Sequence, residues 1–169
     1  MPRFILLAGL PASGKSTYRA ELLTSNPQAV VVSPDDFLES RAAKMGITYQ
    51  DIWRPEHSEH IAESRTRIDD ILEEAISQNR DVIWDQTSLT FEMREGRLHN
   101  TPHHYDKIAV AFETDWDTLM QRNDARKPYG RDIPIEILEG MFNDYERPHF
   151  DEGFDHVILI TNNGDHTLL

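Results

Sequence analysis

Five short apolar runs alternate with longer amphipathic segments along the chain. The runs are rich in Val, Ile, Leu or Phe and predict buried strands at residues 4–8, 29–33, 81–85, 107–113 and 156–161. The segments between them repeat apolar residues at helical spacing and predict helices at residues 15–24, 56–78, 90–99, 115–126 and 134–146. Strands that alternate with helices build a parallel sheet covered on both faces. The pattern therefore predicts an α/β fold with about five parallel strands.

Composition narrows the class of protein. The 169 residues fit one domain, 1–169, with no linker or repeat inside it. The sequence contains no cysteine, which excludes a disulfide framework, a thiol nucleophile and a cysteine zinc site. No apolar run approaches the ~20 residues of a membrane span, and the first twenty residues carry a ligand-binding motif instead of a signal peptide. We therefore expect a cytoplasmic protein with no membrane partner.

A phosphate-binding motif, G-x-x-x-x-G-K-S/T, follows the first predicted strand and opens the first predicted helix. Glycines permit the tight turn that aims backbone N–H groups at phosphate oxygens. Lys15 would reach the β- and γ-phosphates, and the Ser16 hydroxyl would bind Mg²⁺. The motif predicts a P-loop NTPase fold and an ATP site at Gly9, Pro11, Ala12, Ser13, Gly14, Lys15, Ser16 and Thr17.

Two aspartates follow the second predicted strand, at the sheet edge where ligands of parallel sheets bind. A carboxylate there would face the γ-phosphate and accept the proton of an attacking hydroxyl, because phosphoryl transfer needs mainly positioning and charge neutralisation. We choose Asp35 as this base and keep Asp36 in reserve. The alternative is that the Pro-Asp-Asp segment only caps a short helix at residues 37–43.

The third predicted strand ends in Asp85, which would hold Mg²⁺ directly or through water, or contact the acceptor. The alternative is a cap on the segment that follows. Gln86 and Thr87 come next and would line the acceptor side, although a simple polar turn explains them equally well.

The formal net charge of −13 argues against broad electrostatic capture of nucleic acid. One stretch is the exception, since Asp124 is the single acid among the four basic residues Arg122, Arg126, Lys127 and Arg131. The stretch joins a helix to a Pro-Gly loop, which predicts an arginine-bearing lid at about 122–134 that closes on the transferring phosphoryl group. Surface arginines at a helix end are the alternative.

In the order and spacing of these motifs, the chain resembles the kinase domain of phage-type polynucleotide 5′-kinases, within the P-loop kinases. The resemblance spans most of the chain and rests on the Gly9–Thr17 loop, the Asp35–Asp36 pair, the Val82–Asp85 strand and the lid arginines. It implies that Asp35 is the general base, that Arg122 and Arg126 contact ATP, and that Arg126 stabilises the phosphoryl group. It also implies transfer from ATP, with Mg²⁺, to the 5′-hydroxyl end of DNA or RNA, in a host cytoplasm if the protein is phage-encoded.

One position departs from the family pattern. The family has an arginine three residues beyond the base, where it contacts the acceptor phosphate, and this chain has Leu38. Arg41, one helical turn further, is the candidate replacement. Leu38 and the acidic net charge leave a small-molecule kinase, for a nucleoside or sugar, as the alternative function. A nucleotide-dependent switch is a third hypothesis, opposed by the lack of an Asn-Lys-x-Asp motif for guanine.

Overall fold

The computed structural model describes residues 1–162 and 166–169. The strands are β1 (Arg3–Ala8), β2 (Val30–Val32), β3 (Val82–Asp85), β4 (Asp106–Glu113), β5 (His156–Thr161) and β6 (His166–Leu168). The helices are α1 (Lys15–Ser25), α2 (Pro34–Met45), α3 (Ser58–Ser77), α4 (Phe91–Asn100), α5 (Trp116–Asp124) and α6 (Ile135–Asp144). Short 3-10 turns lie at Asp51–Trp53, Pro55–His57, Lys127–Tyr129 and Phe150–Glu152.

The strands form one sheet in the order β2-β3-β1-β4-β5-β6. The first five are parallel, which confirms the predicted α/β, P-loop NTPase fold. β6 was not predicted and pairs antiparallel with β5. Its three residues are too few for an apolar pattern to indicate a strand.

Helices cover both faces of the sheet. Alternate residues of β1 point to opposite faces, so Phe4 and Leu6 pack in the same cluster as α3 and α4 side chains, whereas Ile5 and Leu7 pack in the cluster that includes α1. Both sets are buried, which explains why the strand sequences are continuously apolar. The arrangement brings the loops after β1, β2 and β3 to one edge of the sheet, as expected for parallel strands.

Two smaller apolar clusters lie away from the sheet faces. One contains Leu10, Leu89, Leu119 and Leu138, and so joins α5 and α6 to the loops after β1 and β3. The other contains Leu38, Ala42 and Ile52 and anchors the segment after α2 to that helix. These clusters hold α5, α6 and residues 46–54 beside the phosphate-binding loop.

Candidate active site

The loop after β1 needs its glycines for two different reasons. A Cβ on Gly9 would lie 2.8 Å from Cβ of Phe112 and 2.9 Å from Oγ of Ser13, so β4 approaches the backbone too closely for any side chain. Gly14 directly precedes α1 and has a φ of +110°, a backbone conformation that favours glycine. Gly9 therefore shapes the loop but is not among the residues that line the cavity above it.

Lys15 lies over the phosphate-binding loop at the start of α1. Its Nζ donates hydrogen bonds to the carbonyl oxygens of Gly9 at 2.7 Å and Leu10 at 2.8 Å. Burial lowers the pKa of Lys15 to about 8, although the carboxylates of Asp85 and Asp35 act in the opposite direction. An ammonium held in this way is placed to meet phosphate oxygens.

A cavity of about 720 Å³, here called the loop cavity, opens above this loop. The lining of this cavity combines phosphate-binding groups with acidic side chains and arginines. These are the groups that a nucleoside triphosphate and its metal ion require. Its lining includes Pro11, Ala12, Ser13, Gly14, Lys15, Ser16, Thr17, Arg19, Asp35, Asp36, Glu39, Asp85, Thr87, Arg122, Arg126 and Arg131.

Asp85 ends β3 at the floor of the loop cavity. Burial raises the pKa of Asp85, and the neighbouring cations Lys15 and Arg19 counteract the effect. Nη1 of Arg19 donates to Asp85 Oδ2 and Asp36 Oδ2, each at 2.9 Å, and so joins β3 to α2. The Ser16 hydroxyl and the Asp85 carboxylate line the same cavity, and oxygen ligands of this kind fit Mg²⁺.

Asp35 lies in the first turn of α2, and it is Ser33 that caps this helix. The Ser33 side chain accepts a hydrogen bond from the backbone N–H of Asp36 at 3.2 Å. Oδ1 of Asp35 instead accepts a hydrogen bond from the Tyr49 hydroxyl at 2.9 Å. The capping alternative therefore does not account for the position of the Asp35 carboxylate.

A second cavity of about 650 Å³, here called the side cavity, meets the loop cavity at shared residues. Pro11, Asp35, Thr87 and Arg126 line both. The rest of its lining is Pro34, Tyr49, Gln50, Asp51, Trp53, Arg54, Gln86, Asp132, Ile133, Pro134, Ile137 and Met141. A second ligand bound there would reach the first one beside Asp35.

The predicted lid arginines face the loop cavity. Nη1 of Arg122 donates to the carbonyl of Ala12 at 3.4 Å, and Arg131 forms an ion pair with Glu39 of α2. Nη1 of Arg126 is buried and finds no hydrogen-bond partner within residues 1–162 and 166–169. Burial lowers the pKa of Arg126, with a further contribution from Arg131. A buried donor without a partner costs free energy, as expected at a position built to receive an anion.

Some predicted site residues lie elsewhere. Arg41 forms an ion pair with Glu63 of α3 and is not among the lining residues of either cavity, so the structure does not bring it to the site. Leu38 is fully buried in the apolar cluster that it forms with Ala42 and Ile52, here called the α2 cluster. Lys127 also lies outside both linings and pairs with Asp124.

Sequence reasoning missed several side chains that line the cavities. Arg19 is four residues after Lys15, so the helical repeat alone places it on the same face and was a usable signal. Tyr49 and Trp53 lie between α2 and α3, in a segment without periodicity or motif. Only their tertiary placement identifies them.

The chain is similar in sequence to a family model and to a curated protein. The family model described as AAA domain matches residues 4–148. The curated L-seryl-tRNA(Sec) kinase of Methanococcus maripaludis is 24% identical over 150 residues, covering 85% of this chain and 52% of that protein. The chain thus spans about half the length of this relative.

Two solved structures share the fold. The AvrRxo1-ORF1:AvrRxo1-ORF2 complex with ATP superimposes with a TM-score of 0.73 at 16% identity, covering 100% of this chain and 57% of that chain. The Pnkp1/Rnl/Hen1 RNA repair complex superimposes with a TM-score of 0.66 at 23% identity, covering 85% and 43%. At these identities the likeness shows the fold alone.

Within the described residues, each helix is too short or too polar to traverse a lipid bilayer.

Proposed function

The chain belongs to the AAA domain family, and because a curated relative is a kinase we propose that it transfers the γ-phosphate of ATP to an alcohol. The proposed acceptor is the 5′-hydroxyl end of DNA or RNA. The observation that carries this proposal is the position of Asp35, which lines both the loop cavity and the side cavity.

Each of the two cavities would hold one of the two substrates. ATP would occupy the loop cavity, with its phosphates on Lys15 and on backbone N–H groups of the loop residues that line the cavity, such as Gly14. The acceptor would enter from the side cavity and present its hydroxyl to Asp35. Since these linings meet at Asp35 and Arg126, the hydroxyl and the γ-phosphate would meet there.

The transfer balances with groups already in place. The acceptor oxygen forms a bond to the γ-phosphorus while the bond from that phosphorus to the β-γ bridging oxygen breaks, and ADP leaves. Asp35 takes the hydroxyl proton, and Arg126 binds the oxygens of the transferring group. Ser16 and Asp85 would hold Mg²⁺, which neutralises phosphate charge when it is bound.

A polynucleotide end is the preferred acceptor for two reasons. The chain resembles polynucleotide kinases in the order of its motifs, and one curated relative, the L-seryl-tRNA(Sec) kinase, is named for a substrate carried on tRNA. A strand terminus needs few phosphate contacts, and the exposed guanidinium of Arg54 at the side cavity can supply one while it stays paired with Asp51.

A small-molecule kinase is the second candidate. The net charge of −13 favours it. So does Leu38, an apolar residue of the α2 cluster that occupies the position where the resemblance implies a phosphate-binding arginine. Such a kinase needs no contact to a strand backbone.

An acceptor panel tests both. Purified protein is incubated with ATP labelled in the γ-phosphate and with 5′-hydroxyl DNA, 5′-hydroxyl RNA, a nucleoside or a sugar. We expect label on the oligonucleotides, abolished by Asp35→Asn and reduced less by Asp36→Asn. Label on the nucleoside or sugar alone would overturn the polynucleotide assignment, and equal loss in the two variants would overturn the choice of base.

A further inference from the structure

Two large apolar side chains are exposed at the side cavity. Trp53, between α2 and α3, is 48% exposed, and Ile137, on α6, is 52% exposed. Exposed apolar side chains that converge on one concave surface indicate a ligand with an apolar face. The ring of Tyr49 extends this surface, because it packs edge-on against Trp53 with ring centroids 6.0 Å apart.

Four polar side chains of the same cavity are paired with each other. The Gln50 amide donates at 2.9 Å to the carboxylate of Asp132, and Arg54 forms an ion pair with Asp51 at 2.7 Å. A sugar-like acceptor would have to break these pairs to satisfy its own hydroxyls, and leaving polar groups unpaired is costly. A planar ring would instead cover the apolar wall and leave the pairs intact.

The polar end of the cavity is the one shared with the loop cavity. Asp35, Thr87 and Arg126 lie there. The cavity can therefore bind a hydroxyl at this end and an apolar ring further along. A terminal nucleotide has this construction, since its sugar joins the 5′-hydroxyl to a base.

Building on the proposed function, we propose that the side cavity is a subsite for the base of the terminal nucleotide. Trp53, Tyr49 and Ile137 form its apolar walls, and the 5′-hydroxyl lies at Asp35. Stacking on aromatic side chains tolerates every base, because each base has a π-face. The subsite thus selects a base-bearing end without reading its sequence.

The test compares two oligonucleotides that differ only in whether the 5′-terminal nucleotide bears a base or is abasic. We expect kcat/KM for the base-bearing strand to exceed that for the abasic strand by about tenfold or more, the size of one stacking contact. Trp53→Ala and Ile137→Ala should each reduce this ratio several-fold. Phe150→Ala, which removes an exposed aromatic ring outside the lid and both cavities, is the matched control and should keep the ratio.

A thermal melt of each variant reports whether it folds. Because Trp53 and Ile137 lie in separate elements, one variant still tests the proposal if the other fails to fold. Equal kcat/KM for the two strands in the unmutated protein would overturn the subsite and leave the polynucleotide kinase standing. An unchanged ratio in both folded cavity variants would do the same. Transfer to neither strand would overturn the polynucleotide kinase assignment and the subsite together.

Discussion

The hydroxyl of Tyr49 donates a hydrogen bond to Oδ1 of Asp35 at 2.9 Å. The contact ties the proposed base to the segment between α2 and α3, fourteen residues along the chain. Burial raises the pKa of Tyr49, and the Asp35 charge adds to the effect, so the phenol keeps its proton and remains a donor at neutral pH.

Removing this hydroxyl should slow the transfer. Tyr49→Phe keeps the ring but frees the Asp35 carboxylate to rotate, and we expect kcat to fall about tenfold because misorientation of a reacting group is costly. The KM for ATP should stay the same, as Tyr49 is not among the loop-cavity residues. Steady-state kinetics check this, with Tyr129→Phe as control. A kcat equal to that of the unmutated protein would show that Asp35 needs no such support.

The lowered pKa of Lys15 predicts weaker ATP binding at alkaline pH. Phosphate needs the charged ammonium, and a pKa of about 8 means that this charge is lost as pH rises through 8. We expect the Kd for ATP to be about tenfold higher at pH 9 than at pH 7. Equilibrium titrations at several pH values measure it.

Lys15→Arg is the matched control for this pH dependence. The guanidinium stays charged throughout the range, so the variant should bind more weakly than the unmutated protein at pH 7 but lose the slope. A slope that persists in Lys15→Arg would assign it to another group.

The fold was predictable because buried parallel strands are continuously apolar and the helices are periodic. Both signals are local, so β1 to β5 and five of the helices were found close to their observed ends. The predicted helix at 115–126 instead ends at Asp124, which leaves Arg126 in the connection before the Lys127–Tyr129 turn.

The loop cavity was predictable for a similar reason, since a contiguous motif builds its floor. The side cavity was not, because residues 49–54 and 132–141 are far apart in sequence and meet only through tertiary packing. The Gln50–Asp132 hydrogen bond, 82 residues apart, is the kind of contact that no local pattern encodes. Arg41 illustrates the same limit, because helical spacing could not show that Glu63 would hold it.

Arg94 should be a determinant of stability. It is fully buried, forms a bidentate ion pair with Glu152 at 2.7 Å, and donates to the carbonyl oxygens of Ser88, Leu89 and Glu146. Arg94→Met leaves the Glu152 carboxylate buried without its partner, which costs about 3–5 kcal/mol. We expect a fall in Tm of roughly 10 °C in calorimetry.

The double variant Arg94→Met with Glu152→Met separates the ion pair from simple packing. Replacing both charges by apolar groups removes the uncompensated charge, so it should be more stable than Arg94→Met alone. A double variant that is less stable would show that the hydrogen bonds to the three carbonyl oxygens dominate.

Two glycine substitutions should have opposite effects. Gly9→Ala forces a Cβ to within 2.8 Å of Phe112, so we expect a loss of about 1–3 kcal/mol in the free energy of unfolding and weaker ATP binding. Gly96 lies in α4, where a Cβ would meet no side chain or neighbouring element within 4 Å, and Gly96→Ala should stabilise by about 1 kcal/mol. Urea titrations measure both, and a stable Gly9→Ala would mean that β4 can shift.

Arg126 should contribute to turnover more than to nucleotide affinity. Its buried Nη1 lacks a partner in the described chain and lies where the cavities meet, so its hydrogen bonds would form with the transferring group. Arg126→Lys keeps a positive charge but loses the planar fork, and kcat should fall by about 10² or more while the Kd for ATP changes by less than about threefold. Lys127→Gln is the control, because Lys127 belongs to the same basic stretch but lines neither cavity. Equal losses of kcat and ATP affinity in Arg126→Lys would mean that the arginine binds ATP without favouring the transition state.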